Sequence, residues 1–216
     1  MRLFQKFKMP PVSQVVLIII FAEFIITTGS ALVSPVFALF VVQNIGAPVT
    51  TVGFAIAIYW ITKSILQLPI ARYLDKNYGE IDDYFSMLGG FVLVIVSVFL
   101  YYFVTAAWQI YLLQFFIGIG DAFIIPPFLA IFTRHIDRNQ EAFEWALRSS
   151  FSAGGGFALG GALSGILAVT IGIRPLFIIN GTLLLIGAII LFFLRPYIKP
   201  KVPKEISAFY KPVAKK

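Results

Sequence analysis

Residues 15–42 read VVLIIIFAEFIITTGSALVSPVFALFVV, and the stretch holds a single charge, Glu23. It is longer than the roughly 20 apolar residues that a helix needs to cross a bilayer. It is also too apolar for a helix that turns one face to water. In hydrocarbon every backbone N–H and C=O must be satisfied within the protein, so such a stretch is helical. A run from residue 13 to 42 and five more, at about 50–73, 84–105, 108–132, 143–171 and 175–194, predict six spans. The whole chain is 59% hydrophobic and 12% charged, with a mean hydropathy of +0.91, far from a soluble domain of this size. The runs are continuous rather than alternating, which excludes an outer-membrane barrel. The expected class is an all-α membrane protein with the lipid bilayer as its solvent.

The same composition narrows the function. There are no cysteines and one histidine, His135, so neither a disulfide framework nor a Cys/His metal centre is expected. No nucleophile–base pair stands out, and an enzyme is not expected. No cleavable leader is expected either, because the first apolar run is too long for one. The net charge of +7 is better assigned to the flanks of the spans than to nucleic-acid binding. The head carries 3 Lys/Arg, the loops after spans two and four carry 2 each, the tail carries 7, and the opposite face carries only Arg174. By the positive-inside rule both termini are expected in the cytoplasm, with the protein in the plasma membrane. The expected organisation is a head at 1–12, a transmembrane domain at 13–195, and a basic tail at 196–216.

The chain also resembles itself. A shift of 91 residues places Gly29 on Gly120, Ala31 on Ala122, Pro35 on Pro126, Phe37 on Phe128, Ala55 on Ala146 and Gly90 on Gly181, with no gap. The glycine and proline pairs mark backbone features, so they weigh more than pairs of apolar side chains. Units at about 13–105 and 107–195, three spans each, have opposite orientations in the membrane and form a 3+3 inverted repeat. The shift places Glu23 on Gln114 and Ser30 on Asp121. Each half then has two polar positions seven residues apart, which is two helical turns on one face.

An ionisable group at mid-membrane is a functional candidate by default. Glu23, Lys63 and Asp121 all lie near mid-depth of their spans, and a shared polar cavity is expected to join them. Away from water the neutral acid is favoured, so Glu23 is the first candidate to take up and release a coupling proton. The competing reading is a packing ion pair with Lys63. Asp121, beside Gly120, is either a second coupling site or an interhelical hydrogen bonder. Tyr59, Lys63 and Gln67 fall on one helical stripe, and Thr27 and Ser30 continue the Glu23 face. Arg148 is expected to pair with Glu144 four residues earlier. The glycines around Gly155 and Gly156 lack a following G-K-[ST], so they predict close helix packing rather than a phosphate or other cofactor loop. Pro35, Pro126 and Pro127 are expected to kink spans one and four.

Several motifs resemble those of the major facilitator superfamily. ARYLDKNYGE, after span two, is similar to G-x-x-x-D-R-x-G-R-R, with Asp75, Lys76 and Gly79 at matching positions, Ala71 in place of the first glycine, and Glu80 and Ile81 where the final arginines stand. QFFIGIGDAFIIPP is similar to R-F-x-x-G-x-G with Gln114 at the arginine, GGGFALGGALSG is similar to a glycine-rich fifth helix, and RPLFIING to W-R-x-x-F-x-I-N. The resemblance implies half of a major facilitator fold. It further implies a secondary transporter of a small-molecule substrate working by alternating access, with a proton or sodium as coupling ion. It places spans one, two, four and five around the cavity and three and six outside. It makes Asp75 a structural residue that meets the start of span five in a second half. Because members usually have twelve spans, the expected assembly is a homodimer; pairing with a different half-chain and a non-transporting scaffold are the rivals. The residues leave the substrate open among sugars, amphipathic cations, amino acids and small anions.

Overall fold

A computed structural model describes residues 10–76 and 80–198. Gly79, the first nine residues and the tail beyond residue 198 lie outside the described residues. Six helices are long and apolar enough to cross a membrane: α1 Gln14–Asn44, α2 Thr50–Leu74, α3 Ile81–Phe103, α4 Ala107–His135, α5 Glu141–Ile171 and α6 Arg174–Tyr197. At about 1.5 Å per residue each exceeds the hydrocarbon thickness of about 30 Å. The described residues contain no strand.

The ends of the helices are where charge and turn chemistry place them. Ser13 caps α1 by accepting the Val16 N–H at 3.3 Å. α3 begins three residues before the apolar run, with Asp82 and Asp83 in its first turn, where carboxylates favour the exposed N–H groups. α4 continues to Arg134 and His135, cations in a last turn that offers free carbonyls. Gly172, at φ +86°, makes the reversal from α5 to α6 that a side chain would strain.

The two proline-bearing helices differ in their backbone pattern. At Pro35, α1 tightens to a 3-10 turn over Ser34–Val36 and then widens to a π turn over Phe40–Asn44. α4 stays α-helical through Pro126 and Pro127. A second π segment, Arg148–Gly155, interrupts α5.

The packing is consistent with the expected repeat. α4 packs against α3 and α2, α1 packs against α6 and α5, and α3 meets α6. Exchanging α1 with α4, α2 with α5 and α3 with α6 leaves this pattern unchanged, as a 3+3 repeat requires. Glycines set the crossings. Gly120 faces α3, where an added Cβ would lie 2.9 Å from the Gly90 carbonyl; its counterpart Gly29 faces α6, 3.0 Å from the Leu183 Cβ. The α1 and α6 termini share one side of the bundle, where Tyr197 donates to Gln14 at 2.7 Å; we call this the near side.

The apolar core is divided in two. The near-side cluster includes Ile19, Tyr84, Met87, Phe132 and Leu191. The far-side cluster includes Phe40, Tyr101, Ile110 and Leu176, with Tyr101 stacked on Phe177 at 4.8 Å. The polar residues of the spans are gathered between these two clusters.

Candidate functional site

Between the two clusters lies a cavity of about 590 Å³. Its walls are mostly aliphatic and aromatic, and its polar residues come from several sides, among them Glu23, Thr27, Ser30 and Ser34 from α1, Gln114 and Asp121 from α4, Tyr59 from α2, Arg148 from α5 and Asn180 from α6. α1 and α4 carry these residues on one face, as the two-turn spacing predicts.

The two acids are held in separate ion pairs. Glu23 Oε1 accepts from Arg148 Nη2 at 2.5 Å. The Arg148 guanidinium is enclosed by Phe128, Phe132 and Trp145, at 5.5, 5.6 and 5.3 Å from the ring centroids. Asp121 accepts the Tyr59 hydroxyl and stands 3.9 Å from Lys63 Nζ. Lys63 donates to Tyr59 Oη at 3.1 Å and lies 4.8 Å over the Trp60 ring. The two pairs fall on exchanged helices, an acid on α1 with a base on α5 and an acid on α4 with a base on α2, but not at matching positions, since Glu23 aligns with Gln114 and Asp121 with Ser30. They differ in depth. Glu23 is nine residues inside Gln14, about 14 Å from the near side, whereas Asp121 is fourteen residues from either end of α4, about 21 Å.

Three expectations change. Glu23 pairs with Arg148 rather than Lys63, because α1 packs against α5 and Lys63 on α2 faces α4. Arg148 does not pair with Glu144. Glu144 lies in the first turn of α5, fully buried, and accepts the Asp137 N–H at 3.3 Å. Spans three and six do not stand outside the cavity. They form its floor through Phe91, Val94, Val98 and Tyr101 on α3 and Phe177, Asn180 and Leu184 on α6. The predicted stripe on α2 is split, since Tyr59 and Trp60 line the cavity while Lys63 and Gln67 do not.

The structural candidates are spread more widely. Gly156 seats α5 on α1, where an added Cβ would lie 2.9 Å from Thr27 Cβ and 3.0 Å from the Phe24 carbonyl; Gly155 rests on the Phe24 ring. Asp75 and Lys76 are exposed at the near-side end of α2, away from the cavity. Two near-side contacts were missed because their residues read as loop: the ion pair of Asp83 with Arg134, and Glu80 Oε1 beside the His135 imidazole at 3.6 Å. They bind the start of α3 to the end of α4. Ser13 adds α1 by donating to the His135 carbonyl at 3.2 Å. Among the described residues no group of three or more His, Cys, Asp or Glu is placed to hold a metal.

The family model of the Major Facilitator Superfamily matches residues 19–215. The chain belongs to the Major Facilitator Superfamily. It is similar to the multidrug resistance protein MdtG of Dickeya zeae (strain Ech586), 38% identical over 95 residues, 43% of this chain and 22% of that protein. It is also similar to MdtG of Citrobacter koseri, 35% identical over 102 residues, 46% of this chain and 24% of that protein. Among solved structures, the POT family transporter PepTSo superimposes with a TM-score of 0.71 at 16% identity, over 96% of this chain and 44% of that one. That likeness shows the fold. The chain thus spans about a quarter of the curated relatives it matches and less than half of the solved one.

Proposed function

We propose that this major facilitator chain is one six-helix half of a secondary active transporter that moves a small solute by alternating access, coupled to protons through Glu23. The observation that carries the reading is the central cavity with an ion pair at each side: Glu23 on α1 with Arg148 on α5, both in its lining, and Asp121 on α4 near Lys63 on α2, the lysine standing behind the lining. Such a pair has two states. Ionised Glu23 holds Arg148 and joins α1 to α5; protonated Glu23 gives up the ion pair and frees the helices to shift. The aromatic cage keeps Arg148 in place in either state. Asp121, bound by Tyr59 and near Lys63, is the acid of the other pair. Sodium in place of the proton is the alternative coupling ion.

The near side is proposed to be cytoplasmic, in the plasma membrane, on the Lys/Arg asymmetry. The apolar lining and the similarity to proteins named for multidrug resistance favour a substrate that is largely apolar and carries polar groups. A second half completes the pathway. In α2 and α5, 11% and 17% of the most apolar stretch is buried, against 44–50% in the other spans, so these two helices present the faces for it. A second copy related by a twofold axis along the membrane normal covers both at once. The proposed unit is residues 13–195, between a head and a basic tail, with Asp75 meeting the start of α5 in the other copy, where a carboxylate is favoured by the helix dipole.

The test is reconstitution of the full chain into liposomes with an imposed pH gradient, using the apolar fluorescent amine N-phenyl-1-naphthylamine as probe. Probe movement driven by the gradient supports the reading, with loss of drive in Glu23→Gln. Movement in Glu23→Gln that follows the gradient as in the wild type removes Glu23 from coupling. No gradient-driven movement by protein that binds the probe contradicts transport.

A further inference from the structure

Asn180 lies in α6, in a stretch with no charged residue, six residues from Arg174 and about 9 Å inside the far side. It is 6% exposed and lines the cavity beside Phe177 and Leu184. Its Oδ1 is buried without a hydrogen-bond partner. A buried amide left unsatisfied destabilises the fold, and an apolar residue of similar volume would carry no such cost. Position 29 keeps space for it: a Cβ on Gly29 would stand 2.9 Å from Asn180 Oδ1. Ser30 and Ser34, one turn apart on α1, line the same part of the cavity. Glu23 Oε2 and Arg148 Nε are also buried without a partner, but both side chains are held by their ion pair, whereas Asn180 makes no side-chain hydrogen bond among the described residues. The terminal torsion of asparagine is broad and roughly twofold, so either its oxygen or its NH2 can be turned toward the cavity.

We propose that Asn180 is a substrate-contacting residue. Its amide hydrogen-bonds an uncharged polar group (a hydroxyl, an amide or an N–H) of a largely apolar substrate lying between α1 and α6, on the far side of the Glu23–Arg148 pair. This assignment rests on reading the cavity as the transport pathway, and it adds a neutral anchor to the charged pairs.

The test compares two dyes on the full chain in lipid nanodiscs: N-phenyl-1-naphthylamine, which has one N–H, and its N-methyl derivative, which has none. The wild type is expected to bind the N–H dye about three- to tenfold more tightly, the size of one neutral hydrogen bond. Asn180→Leu and Asn180→Ala are each expected to lose this preference while still binding the N-methyl dye. The ratio of the two affinities does not depend on how much protein is folded, so a purely structural role leaves it unchanged. Equal affinities in the wild type, or the preference retained in either variant that binds, overturn the assignment of Asn180 alone. Failure of the wild type to bind either dye overturns the cavity reading together with it.

Discussion

Glu23 and Arg148 show how an expensive residue is tolerated at depth. Their side chains are only 15% and 22% exposed; Arg148 Nη2 donates to Glu23 Oε1, Glu23 Oε2 and Arg148 Nε are left without a hydrogen-bond partner, and three aromatic rings surround the guanidinium. Removing one partner of a buried pair leaves an uncompensated charge, at a cost of about 3–5 kcal/mol. Replacing both with neutral residues avoids that cost. Arg148→Met is therefore expected to lower the thermal unfolding midpoint in detergent clearly, and the double variant with Glu23→Gln to recover most of the loss. Equal losses in the single and double variants would show that Arg148 acts by packing on Phe128, Phe132 and Trp145 rather than by charge. The carboxylates were legible in the sequence because an acid in an apolar run has few readings. Their partners were not, because pairing depends on which helices touch. The repeat did not supply them, because the 91-residue shift places Lys63 on Gly154 and Arg148 on Ala57; only the helix contacts bring Arg148 to Glu23. Asn180 gave a weaker signal, a lone amide in an uncharged span.

At the scale of helices, the small residues of α5 divide into those that meet α1 and those that do not. A Cβ on Gly156 would meet Thr27 and the Phe24 carbonyl within about 3 Å, whereas one on Gly161 would meet nothing within 4 Å. Gly156→Leu is expected to force α5 from α1 and destabilise the bundle by about 1–3 kcal/mol; Gly161→Leu is expected to leave it nearly unchanged. Denaturation of both variants in the same detergent checks this, and similar midpoints would show that the α1–α5 seam yields freely. All six helices were readable from hydropathy, since length and apolarity alone decide a span. Their ends shifted by a few residues where charges such as Asp82, Asp83, Arg134 and His135 belong to helix termini rather than loops. The floor of the cavity was not readable, because α3 and α6 line it mostly with the same apolar residue types that face lipid.

At the scale of the molecule, the cavity lies between two exposed helices, α2 and α5. In the proposed dimer, a twofold axis beside the cavity would set α2 of one copy opposite α5 of the other. Phe54 on α2 is 64% exposed and Val169 on α5 is 88% exposed, both close to the far-side ends of their helices. The chain has no cysteine of its own. Phe54→Cys combined with Val169→Cys is therefore expected to give a disulfide-linked dimer in oxidised membranes; a chain that stays monomeric under those conditions contradicts pairing of two copies through these faces. The central claim is that Glu23 carries the proton that drives transport, and proton movement reports on it most directly. Liposomes containing the protein and a lumenal pH dye, with no gradient imposed, are given N-phenyl-1-naphthylamine from outside. The wild type is predicted to change lumenal pH as the probe moves and Glu23→Gln to move probe without that change; an equal pH response from both proteins would contradict the account.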